Sequence, residues 1–225
     1  MHNLLVPMAN LLVKLSKSGS VTINAMEAEQ VKEPLNELYA SNIEGIRLAV
    51  VEVWGAAPEL FLYQLSHAIY DPSLLVAVAV VKAFSPASKF RVQLDLAFYV
   101  GEDTIQKAVV EMWGSDPMFF NGQLMAAAKN PLLTLKVLDI WARSPMQFNG
   151  QLKDLMTDQH TSVRLAVIAA WSQRPDFFRR ELRQAYNDAD ERVRDAVAAI
   201  WWSNRVMFAV EIAEIMRIRQ QNSTP

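Results

Sequence analysis

Apolar stripes recur along the chain at a nearly constant interval, separated by polar turns. The segments IRLAVVEVW (46–54), VAVAVVKAF (76–84), IQKAVVEMW (105–113), LTLKVLDIW (133–141), VRLAVIAAW (163–171) and VRDAVAAIW (193–201) each close on an aromatic residue. Those aromatics are Trp54, Phe84, Trp113, Trp141, Trp171 and Trp201, and the intervals between them differ by two positions at most. Four places before each stands Val: Val50, Val80, Val109, Val137, Val167 and Val197. Five places before stands Ala in all but Lys136, and eight places before stands Ile, Val or Leu. Apolar positions at −8, −5, −4, −1 and 0 from the aromatic follow the spacing of a helix with one buried face. A period of about 30 residues within one chain marks a repeat architecture.

The other half of each unit recurs too. Four residues after the aromatic comes Pro58, Pro117, Pro145 or Pro175, and seven residues after each Pro comes Leu65, Leu124, Leu152 or Leu182. Phe61, Phe120, Phe148 and Phe178 lie between. Asp116-Pro117 and Ser144-Pro145 read as an N-cap followed by Pro at the first helical position. Gly55 and Gly114 follow their Trp directly and suit a helix C-terminus. Asp71-Pro72, Asn130-Pro131, Asp158 and Asn187-Asp188 punctuate the turn before the next stripe.

Each unit is thus helix A, turn, helix B, turn. The pattern predicts A helices near 26–40, 58–70, 88–100, 117–129, 145–157, 175–186 and 205–220, and B helices near 45–55, 74–85, 104–114, 132–143, 162–173 and 191–203. A further amphipathic helix is expected near 3–16, a connection at 17–24 and a frayed tail at 221–225. Pro34 is expected to kink or split the first A helix. Two loops are shortened: Phe84 to Leu94 by one position relative to the other repeats, and Leu124 to Thr134 by two.

The units resemble HEAT repeats, within the wider class of armadillo-like helical solenoids. The likeness rests on the B helices, where Asp158…Val163-Arg164-x-Ala166 and Asp188…Val193-Arg194-x-Ala196 match the family's D…VR..A pattern. Ile46-Arg47-x-Ala49 keeps the second part, with Ser41 in place of Asp; Asp71 is present in the next unit, where Ala77 replaces Arg. Gln106 and Thr134 replace Arg in the third and fourth units, and the recurrent Trp departs from the family's small or aliphatic residue. The resemblance covers roughly residues 26–220. It implies an all-α fold: one domain over 1–225, a right-handed α-α superhelix of about six helix pairs with terminal capping helices. It also implies an Asp–Arg ladder between neighbouring repeats, which makes Arg47, Arg164 and Arg194 structural residues. Each rung is expected to be worth little if exposed.

Composition narrows the function. The 225 residues contain no Cys, which excludes a disulfide scaffold, thiolate metal sites and a Cys nucleophile. This fits a reducing compartment, and a cytoplasmic location is expected. Apolar residues make up 52% of the chain, which excludes a largely disordered one. The longest apolar run, Leu74 to Val81, is too short to span a membrane. The N-terminus has apolar residues but no basic segment ahead of them, unlike a secretory signal.

No catalytic constellation stands out. His2, His67 and His160 have no second ligand at metal spacing, and no phosphate-binding loop or nucleophile elbow is present. No catalytic residue, metal site or cofactor is assigned. Paired acids such as Asp188/Asp190 and Glu102/Asp103 fall in turns and read as caps. The Trp column reads as core filling, with base stacking as the alternative. Trp202 lies off the column and is expected to be partly exposed, as a contact or a cap. Asn121-Gly122-Gln123-Leu124 and Asn149-Gly150-Gln151-Leu152 stand one unit apart, and their Gly residues suggest close approach of adjacent A helices, with a ligand notch as the alternative.

Charge is uneven. Residues 1–112 carry 8 basic and 12 acidic groups, residues 113–225 carry 14 and 12, and every basic residue from 174 onward is Arg. Arg179, Arg180 and Arg183, with Trp202, are the candidate C-terminal contact for an acidic partner; the default reading is a solvated mixed face, because acids interleave with the Arg residues. In a HEAT-like solenoid the B helices line the concave side. The positions −6 and −2 from the aromatic would face it: Leu48/Glu52, Val78/Lys82, Lys107/Glu111, Leu135/Asp139, Leu165/Ala169 and Asp195/Ala199. Of these, Leu48, Glu52, Lys82, Lys107, Glu111, Leu135, Asp139 and Leu165 are the candidate binding residues. The surface is mixed with an apolar middle, closer to a protein or peptide groove than to a phosphate track. The expected function is a non-enzymatic scaffold binding a protein or peptide. A DNA-binding or alkylbase-excising HEAT-like protein is the alternative, disfavoured by a pI near 6.0. A HEAT-like bilin lyase is the third. No oligomeric state is specified.

Overall fold

The computed structural model describes residues 23–222, and the side chains of 23–217. The helix expected at 3–16 lies outside the described residues, as does most of the connection at 17–24 and the end of the tail. Among the described residues all regular structure is helical.

The chain divides between Asn121 and Gly122 into two compact units. The first contains α1 (Ala25–Tyr39), α2 (Glu44–Gly55), α3 (Leu62–Ala68), α4 (Leu74–Ala83), a 3₁₀ turn (Ala87–Phe90), α5 (Arg91–Val100) and α6 (Asp103–Trp113). The second contains α7 (Asn121–Ala127, whose first residue falls before the boundary), α8 (Pro131–Ala142), α9 (Asn149–Leu155), α10 (Thr161–Trp171), α11 (Arg179–Ala185), α12 (Glu191–Ser203) and α13 (Ala209–Asn222). In the first unit the B helices pack in succession, α2 on α4 and α4 on α6; in the second, α8 packs on α10 and α10 on α12. Each B helix also packs against A helices of its own unit.

The aromatic columns hold both cores together. Trp54, Phe84, Trp113, Trp141, Trp171 and Trp201 are all buried, as are Phe61, Phe90, Phe120, Phe148, Phe178 and Phe208. Each Trp meets the Phe seven residues later. Centroid separations are 6.1 Å for Trp113–Phe120, Trp171–Phe178 and Trp201–Phe208, 6.3 Å for Trp141–Phe148 and 6.5 Å for Trp54–Phe61. The Val column at −4 is buried throughout. So is the −3 column, Val51, Val81, Val110, Leu138, Ile168 and Ala198, which the helical stripe read from the sequence leaves out. The −5 Ala column is mostly half-exposed instead. B helices packed on both sides bury a wider arc than a single surface stripe.

Three local expectations are corrected. The A helices begin later than Pro117 or Pro145 suggests, at Asn121 and Asn149, because the Pro opens a turn rather than the helix. Phe61, Phe90, Phe148 and Phe178 sit at the junction with φ from −95 to −113° and ψ from 22 to 30°, between turn and helix. The junction turns the ring into the core. Pro34 does not split α1, which runs unbroken from Ala25 to Tyr39. Gly122 and Gly150 do not mediate helix contact: a Cβ at either would meet nothing within 4 Å. The close approach belongs to Gly55, where a Cβ would lie 3.0 Å from that of Ala83 on the neighbouring B helix.

Candidate functional site

Two Asp–Arg forks are built on the turns before B helices α4 and α12. Arg47 on α2 donates through Nε to Asp71 Oδ2 (2.8 Å) and through Nη2 to Oδ1 (3.0 Å), and Tyr39 donates its hydroxyl to the same Oδ2 at 2.7 Å. Arg164 on α10 repeats the fork on Asp188, with Nε–Oδ2 at 2.8 Å and Nη2–Oδ1 at 3.0 Å. The third nitrogen of each Arg donates to a carbonyl six residues back, Ser41 O (3.0 Å) and Asp158 O (2.7 Å). Arg194 makes no such fork among the described residues and donates to the backbone, to Asp188 O at 2.6 Å and Ala189 O at 2.8 Å. The forked rungs are not exposed pairs: the side chains of Arg47 and Asp71 are 13% and 1% accessible. Burial by itself would raise the Asp71 carboxyl; the bonds from Arg47, Tyr39 and the Ser73 N–H outweigh it and hold the group below the usual carboxylate range. Burial likewise opposes the depression of Asp188, which the bonds from Arg164 and the Asp190 N–H carry through. Burial pushes the Tyr39 phenol up, and the bond to Asp71 adds to the rise.

Where the Arg is missing, the Asp at the matching place in the next repeat is usually missing with it: Ala77 goes with Gly101, and Gln106 with Asn130. Asp158 is the exception opposite Thr134, and bonds to the His160 ring (2.9 Å) and backbone (2.7 Å) instead. Thr134 turns its hydroxyl to Ala128 O at 2.9 Å.

A second series, which the local sequence pattern does not predict, links successive A helices of the second unit. Glu181, buried on α11, takes Lys153 Nζ at 2.7 Å and Asn149 Nδ2 at 3.2 Å from α9. Glu211, buried on α13, takes Arg179 Nε and Nη2 at 2.7 and 2.9 Å and Arg183 Nε at 2.7 Å from α11. The Arg179 fork, opposed by burial, lowers Glu211 to about 2. A signal is present in the sequence: Glu181 and Glu211 lie one period apart, and each follows its two partners at the same pair of offsets.

This changes the C-terminal candidates. Arg179 and Arg183 are already committed to Glu211. Arg174 pairs with Asp176 at 3.2 Å and Arg192 with Asp190 at 2.8 Å. Arg180 is exposed with no ionic partner among the described residues, and Trp202 is 46% exposed. The four candidates therefore do not form one open basic patch.

The B-helix candidates lie on accessible faces. In the first unit Glu52 (α2), Lys82 (α4), Lys107 and Glu111 (α6) are exposed and Leu48 is half-buried. In the second, Leu135 is 49% exposed beside Asp139 on α8, and Leu165 on α10 is half-buried. Asp139 holds Arg143 at 2.9 Å across one helical turn. No group of three His, Asp or Glu side chains among the described residues is placed to hold a metal ion. No helix among them is long and apolar enough to cross a membrane. His67 meets Tyr63 with ring centroids 4.5 Å apart and planes tilted by 57°.

Two crevices open beside the Trp column in the second unit. One, of about 310 Å³, is lined by Lys153, Met156, Trp171, Glu181, Asn187 and Asp188 among others. The other, of about 180 Å³, is lined by Met125, Ala128, Lys129, Trp141, Gln151, Asp154 and Leu155. Neither is legible in the Trp column itself, which reads as uniformly packed. Comparison with protein-family models, curated proteins and solved structures finds no match.

Proposed function

We propose that the chain is a non-catalytic helical-repeat module of the HEAT type, which binds another protein or a peptide across the outward faces of its B helices. One observation carries this reading: the −6/−2 positions remain accessible in repeat after repeat and mix apolar with charged side chains, as in Leu135 beside Asp139. Such a mixture at regular spacing suits a polypeptide surface better than a phosphate backbone. The interior supports it too. The forked Asp–Arg pairs and the buried Glu residues bind neighbouring repeats to each other, so their shifted acidities serve structure, an ordinary source of perturbed groups. A superhelical stacking of the pairs follows from the HEAT resemblance and offers the extended surface such proteins use.

The test is site-specific photocrosslinking in native extract. A benzophenone side chain at Leu135 should trap a polypeptide. The same group at Val92, 73% exposed on A helix α5, should not. Equal trapping from both positions would reject the B-helix face.

A further inference from the structure

The residue four places after the A-helix Leu is set against the Trp of its own repeat. In three repeats that residue is aromatic and covers the Trp: Tyr39 on Trp54, Phe98 on Trp113 and Tyr186 on Trp201, with centroids 4.9, 4.8 and 4.9 Å apart. In the repeat of Phe84, where the column has no Trp, the place is held by Ile69. Two consecutive repeats keep the Trp and lack the covering ring. Ala128 and Met156 stand in its place, and it is there that the crevices of about 180 and 310 Å³ open over Trp141 and Trp171.

The larger crevice keeps the partners of the missing ring. Met156 holds the same sequence offsets to Trp171, Arg164 and Asp188 as Tyr39 holds to Trp54, Arg47 and Asp71. Asp71 Oδ2 accepts both Arg47 Nε at 2.8 Å and the Tyr39 hydroxyl at 2.7 Å. Asp188 Oδ2 accepts Arg164 Nε at the same 2.8 Å, and both Asp188 and Trp171 line the crevice. Trp171 and Asp188 are largely buried, so the floor and the acceptor are fixed in place. The unpartnered indole N–H of Trp171 is no mark of this site, since those of Trp54, Trp113, Trp141 and Trp201 are unpartnered too.

We propose that this crevice receives a phenolic ring, presented as a tyrosine side chain by a partner polypeptide. The ring lies on Trp171 against the Met156 thioether, and its hydroxyl donates to Asp188 Oδ2, as Tyr39 does to Asp71. The volume exceeds that of one phenol, and the Lys153–Glu181 pair and Asn187 offer the rim polar groups for the flanking peptide. The smaller crevice lacks the matching carboxylate: Asp158, in the place of Asp188, is not part of its lining, whose acid is Asp154 of α9 instead. The site is separate from the B-helix faces and goes beyond the adaptor reading.

The test follows the Trp171 indole N–H cross-peak of the full chain, assigned by its loss in Trp171→Phe, while N-acetyltyrosinamide, N-acetylphenylalaninamide and p-cresol are titrated in. The tyrosine amide should shift the peak saturably and bind at least about tenfold tighter than the phenylalanine amide, the scale of one hydrogen bond to a charged acceptor. p-Cresol should bind no tighter than the tyrosine amide. Met156→Tyr should fill the slot from within, raise Tm by about 2–4 °C and abolish the shift. Met156→Phe should abolish it as well. The proposal is overturned by no saturable shift, by equal affinity for the two amides, by tighter binding of p-cresol, or by binding that survives both folded Met156 variants.

Discussion

Trp141 and Phe148 stack in the core of the second unit with centroids 6.3 Å apart and planes 28° apart, and the same pairing recurs seven residues after the other Trp residues of the column. By packing, it joins the end of a B helix to the start of the next A helix in each repeat that carries the Trp. Trp141→Ala should cost about 3–5 kcal/mol, and Phe148→Ala a similar amount. The double variant should cost less than the sum by about 0.5–1.5 kcal/mol, the worth of the ring pair beyond burial. Urea unfolding of the four proteins measures this. A loss under about 1 kcal/mol for Trp141→Ala would place the column at the surface.

The Arg164–Asp188 fork is nearly enclosed, with side chains 13% and 10% accessible, whereas Arg143 and Asp139 are 64% and 66% accessible. Arg164→Ala leaves a carboxylate largely buried without its partner and should cost about 2–4 kcal/mol. Arg143→Ala should cost under about 0.5 kcal/mol. Denaturation midpoints of the two variants separate these cases, and similar losses would contradict the distinction.

Gly150 lies on the exposed side of α9, where an added methyl would find nothing within 4 Å. Gly150→Ala should therefore raise stability by about 0.5–1 kcal/mol through lower backbone entropy of the unfolded chain. A destabilised variant would restore the helix-contact role that the sequence suggests.

Glu211 gives the protein an acid limb. Its folded value, about 2, lies below the ordinary 4.5, so the unfolded chain binds more protons between those limits. The contribution is complete above about pH 4.5 and is lost as pH falls through about 2. Its Arg partners are 39% and 53% accessible, so solvent screening holds it to about 1–2 kcal/mol. Glu211→Gln should be less stable than the parent at about pH 6, and the two should converge toward about pH 2. A constant gap across that range would show that the carboxylate's charge is not what matters.

The B helices are legible in the sequence to within a residue or two, because Val at −4 and the aromatic at 0 reflect burial directly. The A helices are legible as elements but not at their starts. Asp116-Pro117 carries the local signal of a helix N-terminus, yet the demand that Phe120 reach Trp113 delays the helix to Asn121. Tertiary packing outweighs the local cap there. The roles of Arg179 and Arg183 are hidden for another reason. Basic residues on an A helix look solvated until the next A helix brings Glu211 against them, and only a comparison across the period exposes that pairing. The crevices are hidden in the same way: they arise from what Ala128 and Met156 lack relative to Tyr39, Phe98 and Tyr186.

The proposed binding of a polypeptide partner to the B-helix faces can be tested on the whole chain. The most direct measurement is affinity capture of the tagged chain from nuclease-treated native extract, run beside Leu135→Arg/Asp139→Arg with matched circular dichroism. A stoichiometric polypeptide held by the parent after nuclease treatment and lost by the variant is the predicted result. Recovery only through nucleic acid, or undiminished capture by the variant, would contradict it.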